Sequence, residues 1–352
     1  SRSFRSLAGA LGIDMTFTPE RLTIARERRG LSRAGLARAA GLAERSVRNY
    51  ESGASEPSRS SIEALAKALS VPVEFFSGPA IDPLGETAAS FRAATKLPAY
   101  RRRAALAAGA LAAHIAAHFE ELFELPTPDV PDLEGYEPEV AAESVRAAWG
   151  IGSGPAPNMV HLLEAKGIFV FALAEDCREL DAFSFWRGER PFVMLNTLKS
   201  VERGRLDAAH ELAHLVLHRH VPEVGKEHEV EAQAFAAAFL LPRDSVLASG
   251  SRAAFLADVL HEKAVWQVSA TAYTRRLHQL GMITDWQYRT LMIELTKLGY
   301  RSGEPNGAIR EGSRLIPMLL GELRKEGIGL QALADQLRLG AHDVRSLFFG
   351  LA

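Results

Sequence analysis

The stretch His210-Glu211-Leu212-Ala213-His214 sets two imidazoles four residues apart, with a carboxylate directly after the first. Four residues make slightly more than one helical turn, so His210 and His214 project from one face, about 6 Å apart along the axis. That reach suits one Zn²⁺ held through two ring nitrogens. Glu211 is then placed to take a proton from water. Leu206, Ala209, Leu212, Ala213, Val216 and Leu217 predict a mostly apolar helix body, with Asp207 ahead of the motif. Two chance histidines on a buried helix would read the same way, so the motif needs a further ligand.

The next segment offers acids. Glu227, His228, Glu229 and Glu231 precede or open a second helical run, Glu229 to Leu241, which is almost wholly apolar after Glu231 and stops at Pro242. Acids in a first turn are ordinary companions of the helix dipole. A carboxylate on a buried helix, however, calls for a cation. Glu229 and Glu231 lie about 200° apart on the helix wheel, so only one can face a given metal, and periodicity leaves both open. His218 would lie about 12 Å from His210 along the axis, too far to share the ion, and reads as a partly buried histidine or one that supports the ligands from outside. His220 and His228 read as loop residues. His114 and His118 repeat the four-residue spacing without an acidic or cysteine partner before Glu120 and Glu121, and no second metal is expected there.

The segment from Asp207 through His218, with Glu229-Val230-Glu231-Ala232-Gln233-Ala234-Phe235-Ala236 and Phe239-Leu240-Leu241-Pro242, resembles the ImmA/IrrE family of metallopeptidases. The resemblance spans roughly Pro138 to Pro242. It implies a zinc site in which His210, His214 and a glutamate opening the next helix are the ligands and Glu211 is the general base. Counting back from Leu240-Leu241-Pro242 selects Glu229, with Glu231 in reserve. Gln233 stands where the family commonly has Asn. One turn after Glu229, it is read as a possible support for that carboxylate.

The N-terminal region carries an independent pattern. Pro19 to Gly30 predicts a first helix, Leu31-Ser32 starts a second through Ala40, Gly41-Leu42 turns, Ala43 to Glu51 forms a third, and Ser60 to Leu69 a fourth. Short helices around a tight glycine turn describe a helix-turn-helix unit. Leu36, Ala37, Leu42, Val47 and Tyr50 supply its core positions. Residues 1–80 hold 12 Lys/Arg and 8 Asp/Glu, a local net of +4 in a chain at −2, the sign a phosphate partner needs. Leu31 to Ala37, Ser46 to Gly53 and Glu56-Pro57 resemble the Cro/repressor-like XRE family. That likeness implies that the third helix enters the major groove of an operator in double-stranded DNA. Arg45, Ser46, Arg48 and Asn49 then stand at base-reading or phosphate-contacting positions. Arg33, where the family often has Gln, becomes a candidate phosphate clamp. Arg21 and Arg28 read equally well as surface charges.

At 352 residues, with 47% hydrophobic and 24% charged residues, the chain has room for two or three cores. A single cysteine, Cys177, excludes an internal disulfide framework and any cysteine-based zinc site, and suits a reducing cytoplasm. No signal peptide or spanning segment is evident; Arg103 to Phe119 is Ala-rich and broken by histidine. The expected fold class is multidomain, mainly α with an α+β part. Its blocks are an all-α helix-turn-helix domain (1–80), a linker with a long helix Ala99–Leu125 offering a dimer contact (81–137), a zincin-like α+β metallopeptidase domain (138–250) and a helical C-terminal region (251–352). In the third block, Ile168 to Leu173, Asp181 to Trp186 and Pro191 to Asn196 predict strands, the last two as a hairpin. Phe192 to Asn196 is the candidate for a substrate-binding edge strand, with a plain core strand as the alternative. Gly150 to Gly154 lacks a following Lys-Ser/Thr and reads as a turn, not a phosphate loop. In the last block, Leu333, Ala334, Leu339, Val344 and Arg345 repeat Leu36, Ala37, Leu42, Val47 and Arg48 at an offset of 297. It is read as a helix-turn-helix-like packing unit.

The functional expectation is a cytoplasmic, dimeric regulator in which a DNA-binding domain is fused to a zinc endopeptidase, with stress response as the expected setting. Its protein substrate is expected to be a regulator, for which a repressor is the candidate. Two other readings stay open: a transcription factor whose zincin-like domain is a non-catalytic ligand or metal sensor, and an intracellular protease that uses the helix-turn-helix as an interaction module.

Overall fold

The computed structural model describes residues 16–85, 98–173, 180–221, 224–249, 255–300, 304–305, 307 and 309–351. Cys177 and much of the segment after Ile81 lie outside the described residues.

Among the described residues four helices come first: α1 (Pro19–Arg28), α2 (Arg33–Ala40), α3 (Glu44–Glu51) and α4 (Arg59–Leu69). Ser32 starts α2 by accepting a hydrogen bond from the Gly35 amide, and Ser58 does the same for α4 through Ser61. Gly41 ends α2 with φ 66°, a left-handed conformation that costs glycine little. Leu36, Ala37 and Val47 are buried between the helices, with Leu42 and Tyr50 packed at the margin.

Arg21 and Arg28 are not surface charges. Arg21 is 0% exposed and donates to the carbonyls of Pro79, Phe75 and Arg338, with Phe75 beneath its guanidinium. Burial first, then the charge of Arg338, lowers its pKa to about 10. Helical periodicity alone could not expose this, because the burial comes from elements distant in sequence.

Helix α5 (Ala99–Leu122) was expected to offer a dimer contact, but its apolar length is consumed within the chain. Residues 104–113 are all buried, as are Ile115, Ala116 and Phe119. They pack between the helix-turn-helix unit and a sheet. A Cβ on Gly109 would meet Leu84 at 2.6 Å and the rings of Phe185 and Phe183 at 3.2 and 3.3 Å, so the close approach of helix to sheet requires this glycine.

Among the described residues the sheet has three strands, β1 (Phe169–Ala172), β2 (Ala182–Arg187) and β3 (Arg190–Leu195), in the order β1-β3-β2. β3 runs parallel to β1 and antiparallel to β2. The segment read as a possible edge, Phe192 to Asn196, therefore supplies the central strand, and β2 forms an edge. The sheet also divides two cores. Phe169, Phe171, Phe183, Phe185, Phe192 and Met194 face the helix-turn-helix side, with Phe185 and Phe192 stacked at 4.8 Å. Val170, Ala172, Ala182, Val193 and Leu195 face the other way, as the two-residue period demands. A sheet covered on both faces gives continuous apolar runs, which conceal edge from centre.

The second core gathers α6 (Pro138–Ala148), α7 (Met159–Ala165), α8 (Val201–Leu217), α9 (Lys226–Leu240), α10 (Arg243–Ala248), α11 (Leu256–Trp266), α12 (Ala270–Gln279) and α13 (Asp285–Lys297). Between α6 and α7, the glycine-rich segment wraps Arg146, which donates to the Gly152 and Gly154 carbonyls. The last three helices, α14 (Leu315–Lys325), α15 (Leu330–Leu337) and α16 (Ala341–Phe348), return to the helix-turn-helix side. Adding 297 to the bounds of α2 and α3 reproduces those of α15 and α16. Arg338, with φ 52°, occupies the turn position of Gly41. Leu333, Ala334, Leu339 and Val344 are buried, and Asp343 accepts from the two terminal guanidinium nitrogens of Arg29, so this unit packs onto the N-terminal one. Among the described residues no helix is long and apolar enough to cross a membrane.

Candidate metal centre

Helix α8 begins at Val201, well ahead of the start that Asp207 suggests, because Ser200 accepts from the Arg203 amide and fixes the N-terminus there. Asp207 then lies inside the helix, 3.0 Å from Arg203. Helix α9 likewise starts at Lys226, where the Gly225 amide donates to His228 Nδ1 at 2.9 Å. The two helices pack side by side and bring their polar faces together.

His210, His214 and Glu229 converge. The two Nε2 atoms are 3.2 Å apart, and each lies 3.4 Å from a Glu229 carboxylate oxygen. Donor atoms about 2.0–2.1 Å from one tetrahedral zinc would stand roughly 3.3 Å from each other. The three donors thus fit a shared cation, and their chemistry, two imidazoles with one carboxylate, suits zinc. His210 is 2% exposed and His214 4%, while the Glu229 side chain is 20% exposed. Burial would by itself raise the Glu229 carboxyl, but the hydrogen bonds and charges of His210 and His214 outweigh it and hold the pKa at about 2. Burial, outweighing the opposing hydrogen bond with Glu229, also lowers the pKa of His214, the direction that favours a ligating ring.

Glu211 is 2% exposed and faces the sheet, where its Oε2 accepts a 2.8 Å hydrogen bond from Ser184 Oγ on β2. Sequence reading missed Ser184. Its only signal is a polar residue in the apolar run Ala182–Phe185, and nothing in that run names its partner. Glu231, the reserve ligand, points elsewhere, to His218 Nε2 at 2.8 Å. Gln233 lines a small cavity with Leu206, Leu240, Leu241 and Arg275. A second trio, Asp132, Glu134 and His220, lies exposed, with His220 Nε2 3.0 Å from Asp132. His114 Nε2 lies 3.3 Å from the Arg21 guanidinium, a cation where a metal would have to sit.

In the N-terminal unit, Arg45 and Arg48 are exposed on α3 and Ser46 and Asn49 half-buried, while Val47 is wholly buried beneath them. Arg33 is half exposed and committed to Glu51 at 2.6 Å, a carboxylate that Arg26 also grips.

Residues 163–278 match the family model of the IrrE N-terminal-like domain, and residues 22–76 match that of a helix-turn-helix family. The chain joins an XRE-type helix-turn-helix segment to an ImmA/IrrE-like peptidase-family domain. No curated protein matches it.

Proposed function

We propose that this chain is a cytoplasmic DNA-binding regulator with a zinc-dependent endopeptidase activity directed at a regulatory protein, for which a repressor is the candidate. The observation that carries the reading is the convergence of His210 Nε2, His214 Nε2 and the Glu229 carboxylate, with Glu211 next to His210 in the sequence. His210, His214 and Glu229 would hold the metal. A zinc ion held there would supply Lewis acidity toward a scissile carbonyl and water. Glu211 takes the proton from the attacking water and later delivers it to the leaving amine. Ser184, donating to Glu211 Oε2, orients that carboxylate. Strand β2, an edge that packs along α8, is suited to hold an extended substrate backbone by strand addition.

On the same reading, residues 1–80 form the DNA-binding domain, 138–250 the peptidase domain and 251–352 a helical C-terminal domain. Arg45, Ser46, Arg48 and Asn49 contact an operator, and a homodimer engages two half-sites. Arg33 joins them only if it leaves Glu51.

One observation favours a second reading, a metal sensor without turnover: Glu211 itself is almost wholly buried. Metal content by mass spectrometry on wild type, His210→Ala, Glu229→Ala and Glu231→Ala tests the site. One zinc per chain, lost in the first two variants and kept in the third, is the expected result. Cleavage products that appear with wild type and vanish with Glu211→Gln separate the peptidase from the sensor.

A further inference from the structure

Helix α8 ends with a histidine that the proposed chemistry does not use. His218 is buried, and its Nδ1 lies 2.9 Å from Nδ1 of His214. Its other nitrogen, Nε2, lies 2.8 Å from Glu231 Oε2 on α9. The ring of His228 packs against it with centroids 4.8 Å apart. A carboxylate, a histidine and a second histidine therefore stand in line, ending at the face that His214 turns toward Glu229 and His210.

We propose that His218 and Glu231 are positioning residues that lock the tautomer and ring orientation of His214, an inference that rests on the metal-centre reading above and extends it. Proton counting carries the argument. An ionised carboxylate only accepts, so the proton of a neutral His218 sits on Nε2 and is donated to Glu231. Nδ1 of His218 is then a lone pair and must accept. His214 therefore donates from its Nδ1–H, and its Nε2 is left as a lone pair facing Glu229 and His210. Every contact in the line is satisfied without adding a charge to either ring.

The opposite assignment would let His214 donate to Glu229, 3.4 Å away, but it leaves Nε2 closed to a cation and breaks the line on the His218 side. With its proton on Nε2, neutral His214 would aim an Nδ1 lone pair at the His218 lone pair 2.9 Å away. Moving the His218 proton to Nδ1 relieves that clash and sets two acceptors, Nε2 and the Glu231 carboxylate, 2.8 Å apart. Burial makes the unmatched pair of His214 and His218 the costlier of the two. The relay thus favours the tautomer that a cation shared by His214 and Glu229 requires. It also explains why Glu231, two residues from Glu229 on the same helix, belongs to the centre without touching the ion. Outer partners of this type commonly affect metal affinity by about 10–100-fold.

The test uses the full chain and zinc itself. Zinc affinity is measured by competition with a chromophoric chelator for wild type, His210→Ala, His218→Leu, His218→Asn, Glu231→Leu and Glu231→Gln. The expected result is a loss of about 10–100-fold for the two leucine variants. The amide of His218→Asn keeps an acceptor near the Nδ1 position, and that of Glu231→Gln keeps a carbonyl oxygen, so both should recover most of that loss. Nitrogen-15 NMR of the histidines in wild type is the second measurement. It should show His218 protonated at Nε2 and His214 at Nδ1, a signature that a merely structural role would not set. The relay is overturned if His218→Leu binds zinc as wild type does while His210→Ala loses it, which leaves the metal centre intact. A His218 protonated at Nδ1 also overturns it, even if the leucine variants do not fold. A wild-type chain that takes up no zinc overturns the metal centre and the relay together.

Discussion

Ser184 Oγ donates to Glu211 Oε2 at 2.8 Å, joining β2 to α8 across 27 residues of sequence. Both groups are buried, so the hydroxyl and the carboxylate meet without water between them. A hydrogen bond to a charged group contributes about 1.5–3 kcal/mol. Ser184→Ala should lower peptide cleavage by about 10- to 100-fold while leaving the zinc content unchanged. Parallel assays of product formation and of metal check this, and a variant cleaving at the wild-type rate would remove Ser184 from the machinery.

The contact between the two helix-turn-helix-like units is ionic at its centre. Asp343 accepts from Arg29 at 2.6 and 2.9 Å and lies 3.8 Å from Arg28 Nε, with its own side chain 4% exposed. Asp343→Ala leaves two arginines facing one another and should destabilise the chain by about 3–5 kcal/mol. Thermal melts and limited proteolysis of that variant report it. A melting temperature equal to that of wild type would mean that the C-terminal unit is not docked this way in solution.

Acid should loosen the junction of α1, α5 and α15. Burial, then the charge of Arg21, lowers the pKa of His114 from 6.5. The folded chain therefore binds this proton less readily than the unfolded chain. The stabilising contribution is fully present above about pH 6.5 and is lost as the pH falls below it. Urea unfolding at about pH 7.5 and about pH 5.5, on either side of that value, should show a smaller acid-induced drop for His114→Gln than for wild type. Equal drops would exclude His114 as a contributor.

Exposure on α3 makes a graded prediction for DNA. Arg45→Ala and Arg48→Ala should each reduce the salt dependence of duplex binding by about one ion, whichever sequence is used. Arg33→Ala should change that slope less, because Arg33 is already neutralised by Glu51. Fluorescence anisotropy across a salt series distinguishes them, and a steeper effect at Arg33 than at Arg48 would reverse the assignment.

The local patterns were readable from residues close in sequence. Ser32, Gly41 and Ser58 mark helix ends by their own backbone chemistry, so α1 to α4 fall within a few residues of expectation. The four-residue spacing of His210 and His214 guarantees a shared face on any helix. The offset of 297 between two helix pairs was visible in five residues and extends to the bounds of both helices. Reading failed wherever a partner came from afar. Arg21 reads as a surface charge until Pro79, Phe75 and Arg338 enclose it.

By itself, the sequence determined that two chemically distinct units exist, one built to carry two histidines and a glutamate, the other to display arginines from a short helix. Periodicity and capping act over one or two turns, so they need no tertiary information. Only the tertiary structure brings Glu229, and not Glu231, beside His210 and His214, because the two differ by about 200° on one helix and become distinct once α9 lies against α8. It alone placed Ser184 at Glu211, made β3 central rather than an edge, and buried α5 inside one chain instead of between two. Those outcomes depend on which surfaces exclude water from each other, and that is a property of the packed chain rather than of any segment.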